Sequence, residues 1–188
     1  MPLSPESAQT TAAQARRSAW PAIALAAAGF GLTLFVFYPG VMTFDAKYVY
    51  LDIAKGFYGD WQSPVMTLLW ALIDPLAPGP ASMFLLIATL YWLGFGLLAV
   101  TLARRSIWPA VALLVLALSP PAFVFVGIIW RDVLLASAWL LAAALAFAVA
   151  DRDLKLRVPA QALALCLLVL GVMLRPNALL AAPILAAY

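Results

Sequence analysis

The sequence has no histidine, one cysteine and few charged residues, which make up 10% of the chain. Without histidine there is no imidazole base, no Ser–His–Asp triad and no histidine metal ligand, so acid–base chemistry falls to Asp, Glu, Lys, Arg or Tyr. Cys166 has no partner for an intramolecular disulfide, and its place in an apolar run predicts a buried, inert thiol. Scarcity of charge excludes most: a soluble domain carries about a quarter charged residues because its surface faces water. The net charge of +3, from 11 basic and 8 acidic residues, is too small and scattered for a nucleic-acid footprint. No nucleic-acid partner is expected.

What is present is apolar. Hydrophobic residues make up 66% of the chain and the mean hydropathy is +1.04. A chain so composed covers itself with lipid, which predicts an all-α, polytopic transmembrane helical bundle with membrane lipids around it. Residues 1–18 read as a disordered cytoplasmic tail and 19–188 as a transmembrane domain. The apolar runs predict spans at about 19–38, 82–103, 107–129, 133–150 and 159–174, and a truncated span from 178. Because that last segment runs out before crossing, the chain reads as part of a longer one. A signal peptide is the competing reading of the first run, but 19–38 exceeds a typical signal core and no small-residue cleavage site follows Tyr38. Pro120 and Pro121 should kink or unwind the later part of 107–129.

The outer loop, 39–81, holds the long charge-dense stretch of the sequence. Within it 63–76 is apolar, but a helix of that length reaches only about 21 Å, short of the roughly 30 Å hydrocarbon core. We read it as a re-entrant or interfacial helix. Topology agrees. If 63–76 does not cross, then Arg16, Arg17, Arg104, Arg105, Arg152, Lys155 and Arg157 share one side, leaving Lys47, Lys55, Arg131 and Arg175 on the other. The positive-inside rule makes the first side cytoplasmic. This gives a multi-pass protein of the cytoplasmic (inner) membrane with a cytoplasmic N-terminus. Asp45, Asp52, Asp60, Asp74 and Asp132 then lie outside.

On a helix over 44–57, Asp45, Tyr48, Asp52 and Lys55 fall within an arc of roughly 80°, with Val49, Tyr50, Ile53 and Phe57 opposite. The plain reading is an interfacial amphipathic helix with a solvated polar face. The chemical reading is a carboxylate pair, Asp45 and Asp52, one of which deprotonates an acceptor hydroxyl. Asp132, in a polar turn with Trp130 and Arg131, brings an acid and a cation to the same side. It also suits a simple interfacial anchor. Arg175, before Pro176 and Asn177, is placed to snorkel to headgroups or to bind a lipid-linked phosphate. Trp61, Gln62, Ser63 and Pro64 open the short helix beside them. Asp74, next to Pro75, reads as a helix-end residue, and GFG at 29–31 and at 94–96 as small-residue packing spots.

The stretch YPGVMTFDAKYVYLDIAKGFYGDWQSPVMTLLW, 38–70, resembles the first outer loop of the GT-C superfamily of membrane glycosyltransferases, particularly its protein O-mannosyltransferase and aminoarabinose-transferase branch. Asp45 matches that loop's leading acidic residue, Gly56 its glycine and SPVM, 63–66, its proline-containing segment. ARRSIWPA resembles the basic cytoplasmic turn after the second span, and LRPNAL, 174–179, a later arginine-containing outer turn. The chain departs from the pattern at Ala46, where many members carry a second acid, and at Ser63, where histidine is usual. The resemblance covers about 19–188 and the N-terminal half of such enzymes. It implies transfer of a sugar from a polyprenyl-phosphate donor to an acceptor on the outer face. Asp45 would be the general base, Asp132 a second acid, Tyr48 and Asp52 substrate contacts, and Arg131, Arg175 or Lys55 would neutralise the leaving phosphate. No metal ligand is assigned and no cofactor is certain. A divalent metal would rest on Asp oxygens, which suit Mg²⁺ or Mn²⁺ better than zinc. The alternatives are a non-enzymatic transporter or assembly partner, or an inactive truncated copy. A transporter would show paired broken helices with ionisable groups at mid-span.

Overall fold

The computed structural model describes residues 5–57, 63–150 and 152–180. In chain order they form α1 (Pro5–Phe37), β1 (Val41–Met42), α2 (Phe44–Lys55), α3 (Pro64–Ile73) with a 3-10 turn at Asp74–Leu76, α4 (Pro80–Ala103), α5 (Ile107–Ala117), α6 (Pro120–Val126), β2 (Ile128–Ile129), α7 (Arg131–Val149) and α8 (Leu154–Leu174), and end in a 3-10 turn at Pro176–Leu180. Ala19–Phe37, Pro80–Ala103, Arg131–Val149 and Leu154–Leu174 are each long and apolar enough to cross a membrane. The pair α5–α6, bent by 61°, is together long and apolar enough as well, and makes a fifth if the two helices are one span. The chain is an all-α, multi-pass membrane bundle.

The break falls where the prolines sit. Pro120 and Pro121 have no N–H to give an incoming helix, and Ser119 before them is extended, with ψ 143°, as a residue before proline prefers to be. Two other elements differ from the sequence expectation. Residues 5–18 continue α1 rather than forming a disordered tail, because alanine is the best helix former and extending an existing helix needs no new nucleus. Cys166 is exposed rather than buried, because much of α8 faces away from the bundle. Of the truncated span expected from 178, residues 178–180 lie in the final 3-10 turn and the remainder lies outside the described residues.

Helix α4 is the centre of the bundle and packs on α1, α5 and α7, with Met83, Phe84, Ile87, Ala88 and Trp92 buried. Small residues let its neighbours approach closely. A Cβ on Gly29 of α1 would sit 2.0 Å from the Trp92 ring, and one on Gly94 would sit 2.7 Å from Leu140 of α7. The Trp92 indole N–H donates to Thr33 Oγ1 at 2.8 Å, and the Thr33 hydroxyl donates to the Gly29 carbonyl at 2.9 Å. Between α7 and α8, Trp139 Nε1 donates to the Leu168 carbonyl at 3.2 Å.

The two ends of the bundle differ in charge. At one end α1 and α8 finish and α4 and α7 begin: Gly40 abuts Phe84 and Ile129, and Arg175 pairs with Asp132. This end holds Asp45, Asp52, Asp74 and Asp132, the larger share of the acids, together with Lys47, Lys55, Arg131 and Arg175. Arg104 and Arg105 follow α4, and Arg152, Lys155 and Arg157 lie around the start of α8, at the opposite end. Helix α3 enters and leaves on the acidic side. Ser63 Oγ donates to the Met173 carbonyl near the end of α8 at 3.1 Å. Trp70 Nε1 donates to the Gly79 carbonyl, just before α4, at 3.1 Å. The short apolar helix therefore returns to its own side without crossing, as its length predicts.

Candidate functional site

The site begins with a two-residue clamp. β1 and β2 pair in parallel, Val41 with Ile128 and Met42 with Ile129, and the Thr43 hydroxyl donates to the Ile129 carbonyl at 3.3 Å. This registers the start of α2 beside the start of α7. Thr43 also caps α2, its side-chain oxygen accepting from the Ala46 N–H at 3.1 Å. Asp45 lies in the first turn of α2 and Asp132 in the first turn of α7, where the helix dipole favours negative charge.

Asp45 lines a pocket of about 10 Å³ with Ala46, Val49, Met66, Trp130 and Arg131. That is room for about one water-sized group. Arg131, one of these lining residues, has its Nε buried without a hydrogen-bond partner. Buried polar atoms are nearly always paired, so this one asks for an explanation. The carboxylate and the guanidinium share walls but form no ion pair, since the ion pair among the described residues is Arg175–Asp132.

Asp132 opens instead onto a second pocket of about 420 Å³, walled by Tyr91, Phe125, Val126, Trp130, Val133 and Ser137 among others. Its carboxylate is held by Arg175, which ties the end of α8 to the start of α7. Asp45 and Asp132 thus line adjacent pockets with Trp130 in the wall of both, and not one shared cavity. The polar turn expected at 130–132 is the first turn of α7, with Trp130 as its cap residue.

The other expected contacts divide. Tyr48 and Lys55 are exposed on α2, Tyr48 edge-on to Phe44 at 4.7 Å, and line none of these pockets. Asp52 is half-buried and also away from them. Asp74 ends α3 and accepts from the Gly79 N–H at 2.9 Å, the helix-end role its position suggests. Tyr50, tilted against Trp70 with ring centroids 5.3 Å apart, has its phenol pushed above 10.0 by burial, then by the charge and hydrogen bond of Asp74. Ser63 is committed to Met173, and the expected contributions of Trp61 and Gln62 lie outside the described residues. Met66 and the double role of Trp130 were not foreseen. Their signal lay in SPVM and in the Trp–Arg–Asp run, but nothing local pairs either with Asp45.

No group of three His, Cys, Asp or Glu among the described residues is arranged to hold a metal. The Asp45 pocket pairs one carboxylate with a guanidinium, a donor set that does not fit a divalent cation. A third pocket, about 570 Å³, lies between α1, α4, α7 and α8 with Ala26, Phe30, Trp92, Gly96 and Leu141 in its walls. It has no titratable group and offers no chemistry. The chain matches no protein-family model, no curated protein and no solved structure.

Proposed function

We propose that the chain carries the acceptor-activating site of a membrane glycosyltransferase that uses a polyprenyl-phosphate-linked sugar. One observation carries this reading: Asp45 and Arg131, whose Nε is buried without a hydrogen-bond partner, line one water-sized pocket at the acidic end of the bundle. A pocket of that size accepts a single hydroxyl, with sugar and lipid at its mouth. Asp45 takes the proton of the acceptor hydroxyl. The freed oxygen attacks the anomeric carbon as the bond to the donor phosphate breaks, which inverts that carbon. Arg131 is the cation available to the leaving phosphate, because Arg175 is already bound to Asp132 and Lys55 lies outside the pocket. The resemblance of 38–70 to the GT-C loop, led by Asp45, points the same way. By the positive-inside rule the basic end faces the cytoplasm, which puts the reaction on the outer face of the cytoplasmic membrane.

A transporter is the second reading, favoured by the bend between α5 and α6. It is weaker, because that is one broken pair among the described residues and the described spans hold no Asp, Glu, Lys, Arg or His at mid-length. The deciding experiment incubates the chain in vesicles with a labelled polyprenyl-phosphate sugar and an acceptor alcohol, and determines the anomeric configuration of the product. Transfer with inversion supports the reading. Transfer with retention, or no transfer by the full-length protein, removes it.

A further inference from the structure

Helix α2 was expected to be an interfacial helix with one polar and one apolar face, but it has two apolar faces. Ala46 and Val49 are buried, with Tyr50 and Ile53 half-buried beside them, and this face packs on the bundle. Turning about the helix at about 100° per residue, Asp45 and Asp52 come next, on one flank. Beyond them Phe44, Lys47, Tyr48, Leu51, Ala54 and Lys55 fall within an arc of roughly 120°. All six are exposed, Phe44 by 72%, Tyr48 by 48% and Leu51 by 51%. Phe44 and Leu51 lie along the middle of that arc, with Lys47 towards one margin and Lys55 towards the other. The charges of the helix are thus sorted: both acids lie beside the packed face and both lysines on the outer one.

From this arrangement we infer that the outer face of α2 lies in the headgroup layer of the bilayer the chain spans and binds anionic phospholipid. Two observations name the occupant. The aromatic and aliphatic centre with flanking lysines is the composition that partitions into the interface, where rings and alkyl groups sink below the phosphates and ammonium groups meet them. The helix also begins seven residues after α1 ends, at the acidic end of the spans, which keeps it at that layer. A protein partner would not call for the two lysines flanking an apolar strip; phosphodiester headgroups do. Tyr48 and Lys55 then serve the membrane and not the Asp45 pocket. Anchored on lipid by this face and on the β1–β2 clamp at its start, α2 holds Asp45 at a set depth below the headgroups.

The test places a nitroxide at Leu51→Cys in a Cys166→Ser background, with the chain in vesicles of phosphatidylglycerol and phosphatidylcholine. The label should collide with dissolved oxygen and be shielded from a water-soluble nickel chelate. Lys47→Gln and Lys55→Gln should each reduce the preference for phosphatidylglycerol over phosphatidylcholine about fivefold. A label open to the chelate would show a solvated face and overturn the inference. Shielding from both relaxants would show a protein surface or a second copy on this face, and also overturns it. An unchanged lipid preference in both lysine variants removes the anionic headgroup as the ligand.

Discussion

Replacing Gly29 by alanine is the sharpest test of how the bundle is packed. The added Cβ would lie 2.0, 2.4 and 2.7 Å from three atoms of the Trp92 ring, distances that no real contact tolerates. The ring must turn away, and its indole N–H then leaves Thr33, whose hydroxyl it reaches at 2.8 Å. Overfilling a packed site costs about 1–3 kcal/mol, and an interhelical hydrogen bond in a membrane contributes about 0.6 kcal/mol and at most about 1.7. Gly29→Ala should therefore destabilise the α1–α4 pair by about 2–4 kcal/mol. Gly31, one position beyond the intervening Phe30, is the control: a Cβ there meets nothing within 4 Å, so Gly31→Ala should stay within about 0.5 kcal/mol of the parent. The assay is unfolding in mixed micelles with a rising fraction of SDS, followed by tryptophan fluorescence. Equal midpoints for the two variants, or a lower one for Gly31→Ala, would refute the packing argument.

The Arg175–Asp132 pair is partly exposed, so a double-mutant cycle of Asp132→Asn and Arg175→Gln should give a coupling below about 1 kcal/mol; a value twice that would mean the pair is buried. Thr43→Ala removes the α2 cap and its bond to Ile129, and should cost about 1 kcal/mol. Amide exchange should quicken in α2 and not in α7, and unchanged exchange in α2 would contradict the clamp. Burial and then Asp74 raise the Tyr50 phenol, so the fold favours the neutral ring. This contribution to stability is complete below the unperturbed value of 10.0 and is lost as pH rises through the higher folded value. Asp74→Asn should lower the Tyr50 midpoint without restoring it fully, read as phenolate absorbance against a Tyr50→Phe reference. An unmoved midpoint would show that Asp74 exerts no influence there.

The membrane spans were legible in the sequence because apolar length alone decides them, and so was the break at Pro120, because a missing N–H is a local fact. The failure of α3 to cross was legible twice, from its length and from the distribution of Arg104, Arg105, Arg152, Lys155 and Arg157. The partners were not. Val41 meets Ile128, and Asp45 shares a pocket with Arg131, only because two strands of two residues pair across a long chain separation. No periodicity announces so short a strand. The helical wheel grouped Asp45 with Tyr48 and Lys55, yet a wheel cannot say which flank the bundle covers. The structure covers the Ala46–Val49 side, so Asp45 borders the pocket it shares with Arg131 and the other two lie outward. Likewise, GFG at 29–31 marked small-residue packing, but only the packed structure separates the buried Gly29 from the open Gly31.

The central claim is that Asp45, and not the neighbouring acid on the same helix, removes the proton from the acceptor. It is tested by comparing sugar transfer from a polyprenyl-phosphate donor by Asp45→Asn and by Asp52→Asn, each folded to the same helical content as the parent. General-base catalysis contributes about 10²–10⁴-fold, so Asp45→Asn should lose that much of the rate while Asp52→Asn keeps it. Full activity in Asp45→Asn would contradict the account.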